Sequence, residues 1–363
     1  MEQEYVDPEV AVSPQEAFYA EKESLPIGKT AGRVCSEFVM CYPPGIPILA
    51  PGEMITPEII EYIIYAKEKG CSFLFEASVG GGIPILRPMS SCLAANELSE
   101  IVGILNGTTN YILTRMIRGG LSFDDALKEA QEKGYAEADP TADIEGHDAC
   151  RKICILSSLG FGRHIYPEQV PTEGITHITL SDVAYARSGG YKIKLLGRSI
   201  RRESDGKVCA FVAPHLVHEE SPLANVEDVF NAVLVKGDML GDVVFYGKGA
   251  GKLPTASAVV ADVVDALKNG VKVHDSLFWQ PAEPVEGMLT DPAPAAYYVR
   301  VEGIAPAVAE AIYGKGHVVE EHFDGCSYFV DSADGKALAE AARKVEAMGG
   351  SVKLVLRRLP EDA

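Results

Sequence analysis

The sequence lacks the features that mark membrane-bound and nucleic-acid-binding proteins. It has no apolar run long enough to span a bilayer, and its start, MEQEYVDPEV, has no apolar core of the kind a signal peptide needs. Its net charge of -19 repels phosphate backbones and anionic lipids, and no basic cluster stands apart from acidic residues. We therefore expect no nucleic acid and no membrane partner, and we expect the chain in the cytoplasm.

Patterns for a metal held by cysteine or histidine are also lacking. The 8 cysteines include no Cys-x-x-Cys pair, and the 8 histidines are scattered. Cys150 and Cys154 are interpreted as buried thiols on one helix face. With 47% apolar and 23% charged residues, the 363-residue chain has the composition of a globular protein with more than one domain.

Residues 1–71 form the first predicted domain. They open with an irregular acidic segment and are expected to contain helices at 27–40 and 57–69. Tyr42-Pro43-Pro44-Gly45 excludes a helix or central strand, because two proline rings remove two amide donors.

Residues 72–290 form the second predicted domain, with an α/β (α+β) fold of mixed sheet and helices. Ser122 is expected to cap a helix that stops at Gly134, and a later helix is expected to run through Ser158 to Gly160. The predicted strands are 72–77, one within 97–105, 192–199, 208–217 and 232–235, and further helices are predicted at 111–118 and 255–268.

Residues 291–363 form the third predicted domain and alternate strand, helix, strand, strand, helix, strand. This βαββαβ order is typical of a small ferredoxin-like module with a regulatory or dimerising role. The proline-rich segment 280–294 is expected to link the module to the domain before it.

The segment GYAEADPTADIEGHDACRK carries the densest chemistry of the chain. It places Glu137, Asp143, Asp148 and Lys152 around a proline-containing turn. Asp148 and Lys152 are four residues apart, so on a helix they share a face. Such a pair is most often a solvated ion pair, but the crowd of carboxylates favours a site for a small polar substrate that needs a positioned proton source.

Two glycine runs, Gly80–Gly82 and Gly247–Gly251, do not fit the Gly-x-Gly-x-x-Gly fingerprint, because the third glycine is absent in both. Both are interpreted as flexible turns, although the second opens a helix and offers free amides to an anion. The segment Asn106–Asn110 is interpreted as a polar turn or helix cap.

Five motifs stand in order along the chain: FEASVGGGIPI, GILNGTTNYIL, GYAEADPTADIEGHDACRK, GGYKIKLL and YGKGAGKLPTASAVVAD. Together they resemble the catalytic and dimerisation region of the homoserine dehydrogenase family. The resemblance implies NAD(P)-dependent interconversion of L-homoserine and L-aspartate 4-semialdehyde in threonine, methionine and isoleucine biosynthesis. It also implies a homodimer.

The same resemblance implies roles for four polar side chains. Lys152 is similar to the catalytic general acid/base, and Asp148 to the carboxylate that orients the substrate and this lysine. Glu137 is similar to the residue that binds the substrate amino group, and Asp143 to one that lines the same pocket.

A cofactor contact and a cation site are implied as well. Gly251 is similar to a glycine that contacts NAD or NADP. A monovalent cation such as sodium is implied at Glu76 and the backbone carbonyls of Val79, Gly81 and Ile83. The C-terminal module stands where some family members carry an ACT domain.

The chain departs from the family in its first part. It has no Gly-x-Gly-x-x-Gly turn, so we expect no complete Rossmann domain, weak NAD(P) binding and impaired activity of the isolated chain. Residues 13–68 instead resemble the C-terminal part of ornithine/lysine/arginine decarboxylases, through AGR, YPPGIP and PGE. That family's cofactor-binding lysine is not in the match, so decarboxylase chemistry is not implied, and the chain is interpreted as a fusion with its junction near 67–72.

Three interpretations remain open. The favoured one is a homoserine-dehydrogenase-type oxidoreductase that has lost its nucleotide-binding domain. The second is a non-catalytic or regulatory partner that dimerises with an intact dehydrogenase, and the third is a fusion fragment without a function of its own.

Overall fold

The computed structural model describes residues 8–20, 23, 25–36, 39–41, 46–50, 52–68, 74–269, 277–283, 294–314, 316–322 and 325–360. The chain divides into two units, one formed by residues 1–76 with 256–278 and the other by 77–255 with 279–363. The predicted boundaries at 71/72 and 290/291 stay predictions. Among the described residues, no helix is long and apolar enough to cross a membrane.

The first unit has a small core of its own. Its elements are α1 (Pro14–Tyr19), β1 (Val39–Cys41), β2 (Ile46–Leu49) and α2 (Pro57–Glu68). The strands β1 and β2 pair antiparallel, and the core consists of Cys35, Ile48, Leu49, Ile55, Ile59, Ile60 and Tyr62. Burying these side chains is the main driving force for the unit.

The structure changes part of the prediction for this unit. The helix predicted at 57–69 is confirmed as α2. The helix predicted at 27–40 is wrong, since the described residues of this range form one 3-10 turn at Ile27–Lys29 and β1 begins at Val39. The Tyr42–Gly45 turn lies outside the described residues.

The second unit is built on a mixed nine-stranded sheet with the order β7-β6-β3-β4-β5-β11-β8-β10-β9. Its strands are β3 (Leu98–Ile104), β4 (Tyr191–Arg201), β5 (Val208–His218), β6 (Phe230–Gly237), β7 (Gly241–Lys248), β8 (Ala295–Glu302), β9 (Gly316–His322), β10 (Gly325–Ala333) and β11 (Ser351–Arg358). Neighbouring strands run antiparallel except for the parallel pair β5 and β11. The predicted α/β (α+β) class with a mixed sheet is confirmed.

The helices of the second unit are α3 (Gly107–Gly119), α4 (Phe123–Glu132), α5 (Thr141–Ile144), α6 (His147–Phe161), α7 (Leu180–Ser188), α9 (Pro306–Tyr313) and α10 (Gly335–Ala347). The helix α8 (Lys252–Asn269) begins in the second unit and belongs to the first unit from Ala256 onward. As predicted, Ser122 caps α4 by accepting a hydrogen bond from the Asp125 amide. The helix α6 continues through Gly160 and ends at Gly162, whose φ of 77° closes it. At Gly160 the helix packs against Ile101 of β3, and a Cβ there would lie 2.8 Å from that side chain, which explains a glycine inside the helix.

The strand β7 and the helices α5 and α7 of the second unit were missed, and one predicted strand is wrong. The strand β7 extends to Lys248 and includes Gly247, which was interpreted as part of a flexible turn. The helix α7 was not predicted. In the predicted strand at 72–77, the described residues 74–77 form no strand, and Glu76–Ser78 is a 3-10 turn.

The C-terminal module has the predicted βαββαβ order, and its strands lie in the order β11-β8-β10-β9. This is the antiparallel arrangement of a ferredoxin-like fold. Its core includes Val299, Val301, Tyr328 and Val345. An ACT identity of the module stays a prediction.

Candidate active site

The site is centred on the connection from β3 to α3. β3 ends at Ile104, and Asn106 is the N-cap of α3 with φ -127° and ψ 120°. The side-chain oxygen of Asn106 accepts a hydrogen bond from the Thr109 amide at 2.9 Å. Leu105 and Asn106 are both buried at this connection.

Asp148 and Lys152 lie in the first two turns of α6 and face this connection. Lys152 Nζ donates to Asp148 Oδ2 at 2.7 Å and to the Leu105 carbonyl at 3.1 Å. The two side chains are only 20% and 27% exposed. The predicted contact is confirmed, and its burial distinguishes it from an ordinary surface ion pair.

Asp143, on α5, completes the cluster. The Asn106 amide nitrogen donates to Asp143 Oδ1 at 2.7 Å and to Asp148 Oδ2 at 2.9 Å. Burial raises the pKa of Asp143, the hydrogen bond from Asn106 lowers it, and the charge of Asp148 raises it further. The structure therefore brings three of the four predicted polar residues together around one amide.

Glu137 lies on the loop between α4 and α5, which is anchored to the same helix start. Thr108 Oγ1 donates to the Tyr135 carbonyl at 2.7 Å, and Gln131 Nε2 donates to the Glu137 carbonyl at 3.1 Å. The Glu137 side chain is exposed and makes no hydrogen bond to the cluster among the described residues. Its role in substrate binding stays a prediction.

The two glycine-rich turns pack against each other. The Gly82 amide donates to the Lys248 carbonyl at 3.1 Å, and a Cβ on Gly81 would overlap the Gly249 carbonyl. Close approach of the Gly249 backbone explains the glycine at 81, and close approach of the Asn231 side chain, 2.1 Å from where a Cβ would lie, explains the glycine at 249.

Gly251 lies directly before α8 with φ 120°, where a Cβ would meet only Pro254 at 3.4 Å or more. Nearby, Asn231 is buried between the start of α3 and this turn: its side chain touches Gly249 and faces Gly107. The Asn231 amide has no hydrogen-bond partner among the described residues. A buried, unsatisfied side-chain amide beside a glycine turn that begins a helix fits contact with one edge of a polar cofactor.

The predicted cation residues fall in different units. Glu76 is buried in the first unit, where its amide donates to Asp262 Oδ2 at 3.1 Å. Val79, Gly81 and Ile83 belong to the second unit. The cation site stays a prediction. Within the described ranges, no three His, Cys, Asp or Glu side chains group to hold a metal ion.

Sequence reasoning missed Asn106, the Leu105 carbonyl and Asn231 as parts of the site. The pattern did identify a polar cap at 106–110. It did not reveal that α5 and α6 fold back onto that cap, which is what turns Asn106 into a partner of two carboxylates.

The arrangement holds an ammonium group in a fixed position beside carboxylates. A half-buried lysine held by a carboxylate and a carbonyl has a fixed position, and among the described residues it uses two of the three ammonium hydrogens. The third can reach an oxygen of a bound substrate. Such a geometry is typical of enzymes that transfer a proton at an oxygen of a small polar molecule.

Comparisons with known proteins identify the family. The sequence profile of homoserine dehydrogenase matches residues 84–264, and that of the C-terminal domain of Orn/Lys/Arg decarboxylase matches residues 1–81. Homoserine dehydrogenase of Bacillus subtilis is 46% identical over 209 residues, which are 58% of this chain and 48% of the relative. The structure of a homoserine dehydrogenase from Thiobacillus denitrificans has a TM-score of 0.70 at 39% identity, covering 82% of this chain and 73% of that one.

The chain belongs to the homoserine dehydrogenase family, and both resemblances inferred from its motifs are confirmed. It spans about half the length of the curated relatives it matches. A hyperthermophilic archaeal homoserine dehydrogenase has been solved in complex with NADPH, but its TM-score of 0.48 is too low to support a conclusion about this chain.

Proposed function

We propose that the chain is a homoserine-dehydrogenase-type oxidoreductase that interconverts L-homoserine and L-aspartate 4-semialdehyde with NAD or NADP. The observation that carries the proposal is the position of Lys152 Nζ, 2.7 Å from Asp148 Oδ2 and 3.1 Å from the Leu105 carbonyl. An amine held in this way can exchange a proton with the substrate hydroxyl without reorganising during the reaction.

Lys152 handles the proton in both directions. In homoserine oxidation, its amine accepts the hydroxyl proton as the C–O bond gains double-bond character; in reduction, its ammonium returns a proton to the forming alkoxide. A bound nicotinamide accepts or supplies the hydride. Asp148 keeps the nitrogen aimed at the substrate oxygen through their 2.7 Å hydrogen bond.

The carboxylates of the cluster suit the ammonium group of the substrate. Homoserine and aspartate semialdehyde each carry an ammonium group, which is attracted by carboxylates. Asp143 and Asp148 are held together by Asn106, and the Glu137 loop is tied to the same helix start. We assign the ammonium group to Glu137, with Asp143 lining the pocket.

The cofactor is expected to bind weakly to the chain as given. Gly251 and Asn231 fit contact with one edge of NAD or NADP, and the sequence contains no Gly-x-Gly-x-x-Gly turn to cradle the pyrophosphate. Titration of NADPH fluorescence tests this. Affinity in the micromolar range would contradict the expected weak binding.

Three further assignments rest on the family. We propose a cytoplasmic homodimer, a monovalent cation such as sodium at Glu76, Val79, Gly81 and Ile83, and a regulatory ACT role for the C-terminal module. Sedimentation velocity tests the dimer, and sodium-dependent turnover compared with choline as the replacement cation tests the site.

The test of the proposed activity is homoserine oxidation by the purified chain with NAD+ and with NADP+. We expect slow, homoserine-dependent turnover that requires millimolar cofactor. Absence of turnover with both cofactors would contradict the proposal. If the chain then copurified with an intact homoserine dehydrogenase, the non-catalytic partner would be the better interpretation.

A further inference from the structure

Asn106 has its side-chain orientation fixed by the helix that it caps. Its Oδ1 accepts from the Thr109 amide at 2.9 Å and lies 3.1 Å from Thr109 Oγ1. The oxygen therefore faces the N-terminus of α3, and the NH2 group must face the other way. The side chain is buried, with 6% of its surface exposed.

The NH2 group lies between two carboxylates that come from different helices. It donates to Asp143 Oδ1 of α5 at 2.7 Å and to Asp148 Oδ2 of α6 at 2.9 Å. The group has two hydrogens and two acceptors, so each hydrogen has one carboxylate partner. Hydrogen bonds to charged acceptors are the strong ones, and each contributes more than a neutral pair.

The oxygen that Asn106 contacts on Asp148 is the one that holds Lys152. Asp148 Oδ2 accepts from the amide at 2.9 Å and from Lys152 Nζ at 2.7 Å. The carbonyl of the preceding residue, Leu105, accepts from the same ammonium at 3.1 Å. Two consecutive residues at the end of β3 thus fix the lysine, one directly and one through Asp148.

We infer that Asn106 is a positioning residue that holds Asp143 and Asp148 side by side and thereby aims Lys152 at the substrate. This inference rests on the proposed function of the site. Without the bridge, two carboxylates in a part-buried space would repel each other, and Asp148 would turn away from Lys152. Asn106 acts through Asp148 and does not itself touch the reacting oxygen.

Two substitutions separate this role from helix capping. Asn106→Ser keeps a side-chain oxygen that can cap α3 but removes both amide hydrogens; serine and asparagine are about equally good N-caps. Asn106→Asp also keeps the cap and places a third carboxylate against the other two. Ser122→Ala is the control, because it removes the N-cap of the neighbouring helix α4 without touching the cluster.

The first measurement needs no turnover. The protein is labelled with 13C at the aspartate carboxyls, and the Asp143 signal is followed by NMR as pH changes. The signal is assigned by its loss in Asp143→Asn. The groups that face Asp143 are Asn106 and Thr108 of α3 and Asp148 and Lys152 of α6. Loss of the amide is expected to move the Asp143 titration to higher pH in both Asn106 variants and not in Ser122→Ala.

The second measurement is homoserine oxidation. We expect Asn106→Ser to lower kcat/KM about tenfold to a hundredfold, the size expected for losing hydrogen bonds to charged groups, and Asn106→Asp to lower it further. The inference would be overturned if the Asp143 titration were unchanged in Asn106→Ser, or if kcat/KM were unchanged while the wild type is active. Asn106 would then act only as the N-cap of α3. If the wild type does not oxidise homoserine, the proposed function fails while the titration still decides whether the amide bridges the carboxylates.

Discussion

The negative charge of Asp143 destabilises the folded state. Its carboxyl is part-buried, burial raises its pKa, and Asp148 lies beside it. When the pKa of a carboxyl is higher in the folded than in the unfolded state, the group contributes most to stability below the unfolded pKa. That contribution is lost as pH rises through the folded pKa. Proteins keep such groups where function requires them.

Asp143→Asn is therefore expected to raise the thermal unfolding midpoint at neutral pH. The amide oxygen still accepts from Asn106, and the charge that burial and Asp148 disfavour is removed. We expect the midpoint to rise, by roughly 1–2 °C for each kcal/mol gained in a protein of this size, and the rise to disappear as pH falls below the carboxyl pKa.

Differential scanning calorimetry at neutral and acidic pH checks the change. Asp242→Asn, at an exposed position of β7, is the control. A midpoint that falls, or that shifts equally at both pH values, would contradict the role given to burial.

At the residue scale, spacing was enough to predict the Asp148–Lys152 contact, because four residues on a helix bring two side chains together. The bridge through Asn106 could not be predicted in this way. It joins residues 37 and 42 positions apart, and only the packing of α5 and α6 against α3 creates it.

Among the elements, β4 and α3 are joined by a buried lysine. Lys194 Nζ donates to Asn110 Oδ1 at 3.0 Å and to the Val226 carbonyl. Asn110 in turn donates to the carbonyls of Val226, Asp228 and Phe230. Burial lowers the pKa of Lys194 to about 7, and a neutral amine can make both hydrogen bonds.

This lysine predicts a pH dependence of stability. Between about pH 7 and its unfolded pKa near 10, the unfolded chain holds a proton that the folded chain has released. The free energy of unfolding of the wild type should therefore rise with pH relative to that of Lys194→Met, by up to about 1.4 kcal/mol per pH unit.

Urea unfolding at pH 7 and pH 9 measures this difference. Lys192→Met, on the same strand but with a side chain 22% exposed, is the control. A difference between wild type and Lys194→Met that is equal at both pH values would show that the lysine does not change protonation on folding.

Element prediction succeeded where apolar residues were regularly spaced and failed where glycine or polar residues broke the pattern. β7 was missed because glycines flank and enter it, and its pairing with β6 determines its structure. α7 was missed because its apolar residues do not collect on one face, and Thr179 begins it through a capping box that only the structure reveals.

In the second unit, the C-terminal module joins the sheet through a short contact. β11 pairs with β5 at only two positions, Arg357 with His215 and Arg358 with Leu216. The order of the module's elements was predictable from the sequence. Its attachment was not, because parallel pairing between strands far apart in sequence leaves no local signal.

A buried polar network strengthens this attachment. Asp182 of α7 accepts from Tyr298 Oη at 2.8 Å and from Arg300 Nε at 2.9 Å, both on β8. Ser327 of β10 bonds to the same tyrosine at 2.8 Å. Burial, and then the charge of Asp182, raise the pKa of Tyr298.

Asp182→Ala is expected to loosen the module, because it removes the acceptor of Arg300 Nε and leaves the largely buried guanidinium with the His177 carbonyl at 3.1 Å and Glu302 at 3.6 Å. Removing one member of a buried pair costs up to about 3–5 kcal/mol; the two remaining contacts reduce this loss, but amide hydrogen exchange should still quicken in β8 and α7. Glu310→Ala, exposed on α9, is the control. Unchanged protection of β8 in Asp182→Ala would mean that strand pairing alone holds the module.

The central claim for the whole molecule is that its polar cluster is a homoserine dehydrogenase active centre. The most direct test is homoserine-dependent reduction of NADP+ at millimolar cofactor by the wild type, by Lys152→Ala and by Lys128→Ala, an exposed lysine on α4. We expect turnover by the wild type and Lys128→Ala and none by a folded Lys152→Ala. Equal turnover by wild type and Lys152→Ala, or none by the wild type with either nicotinamide, would contradict the central claim.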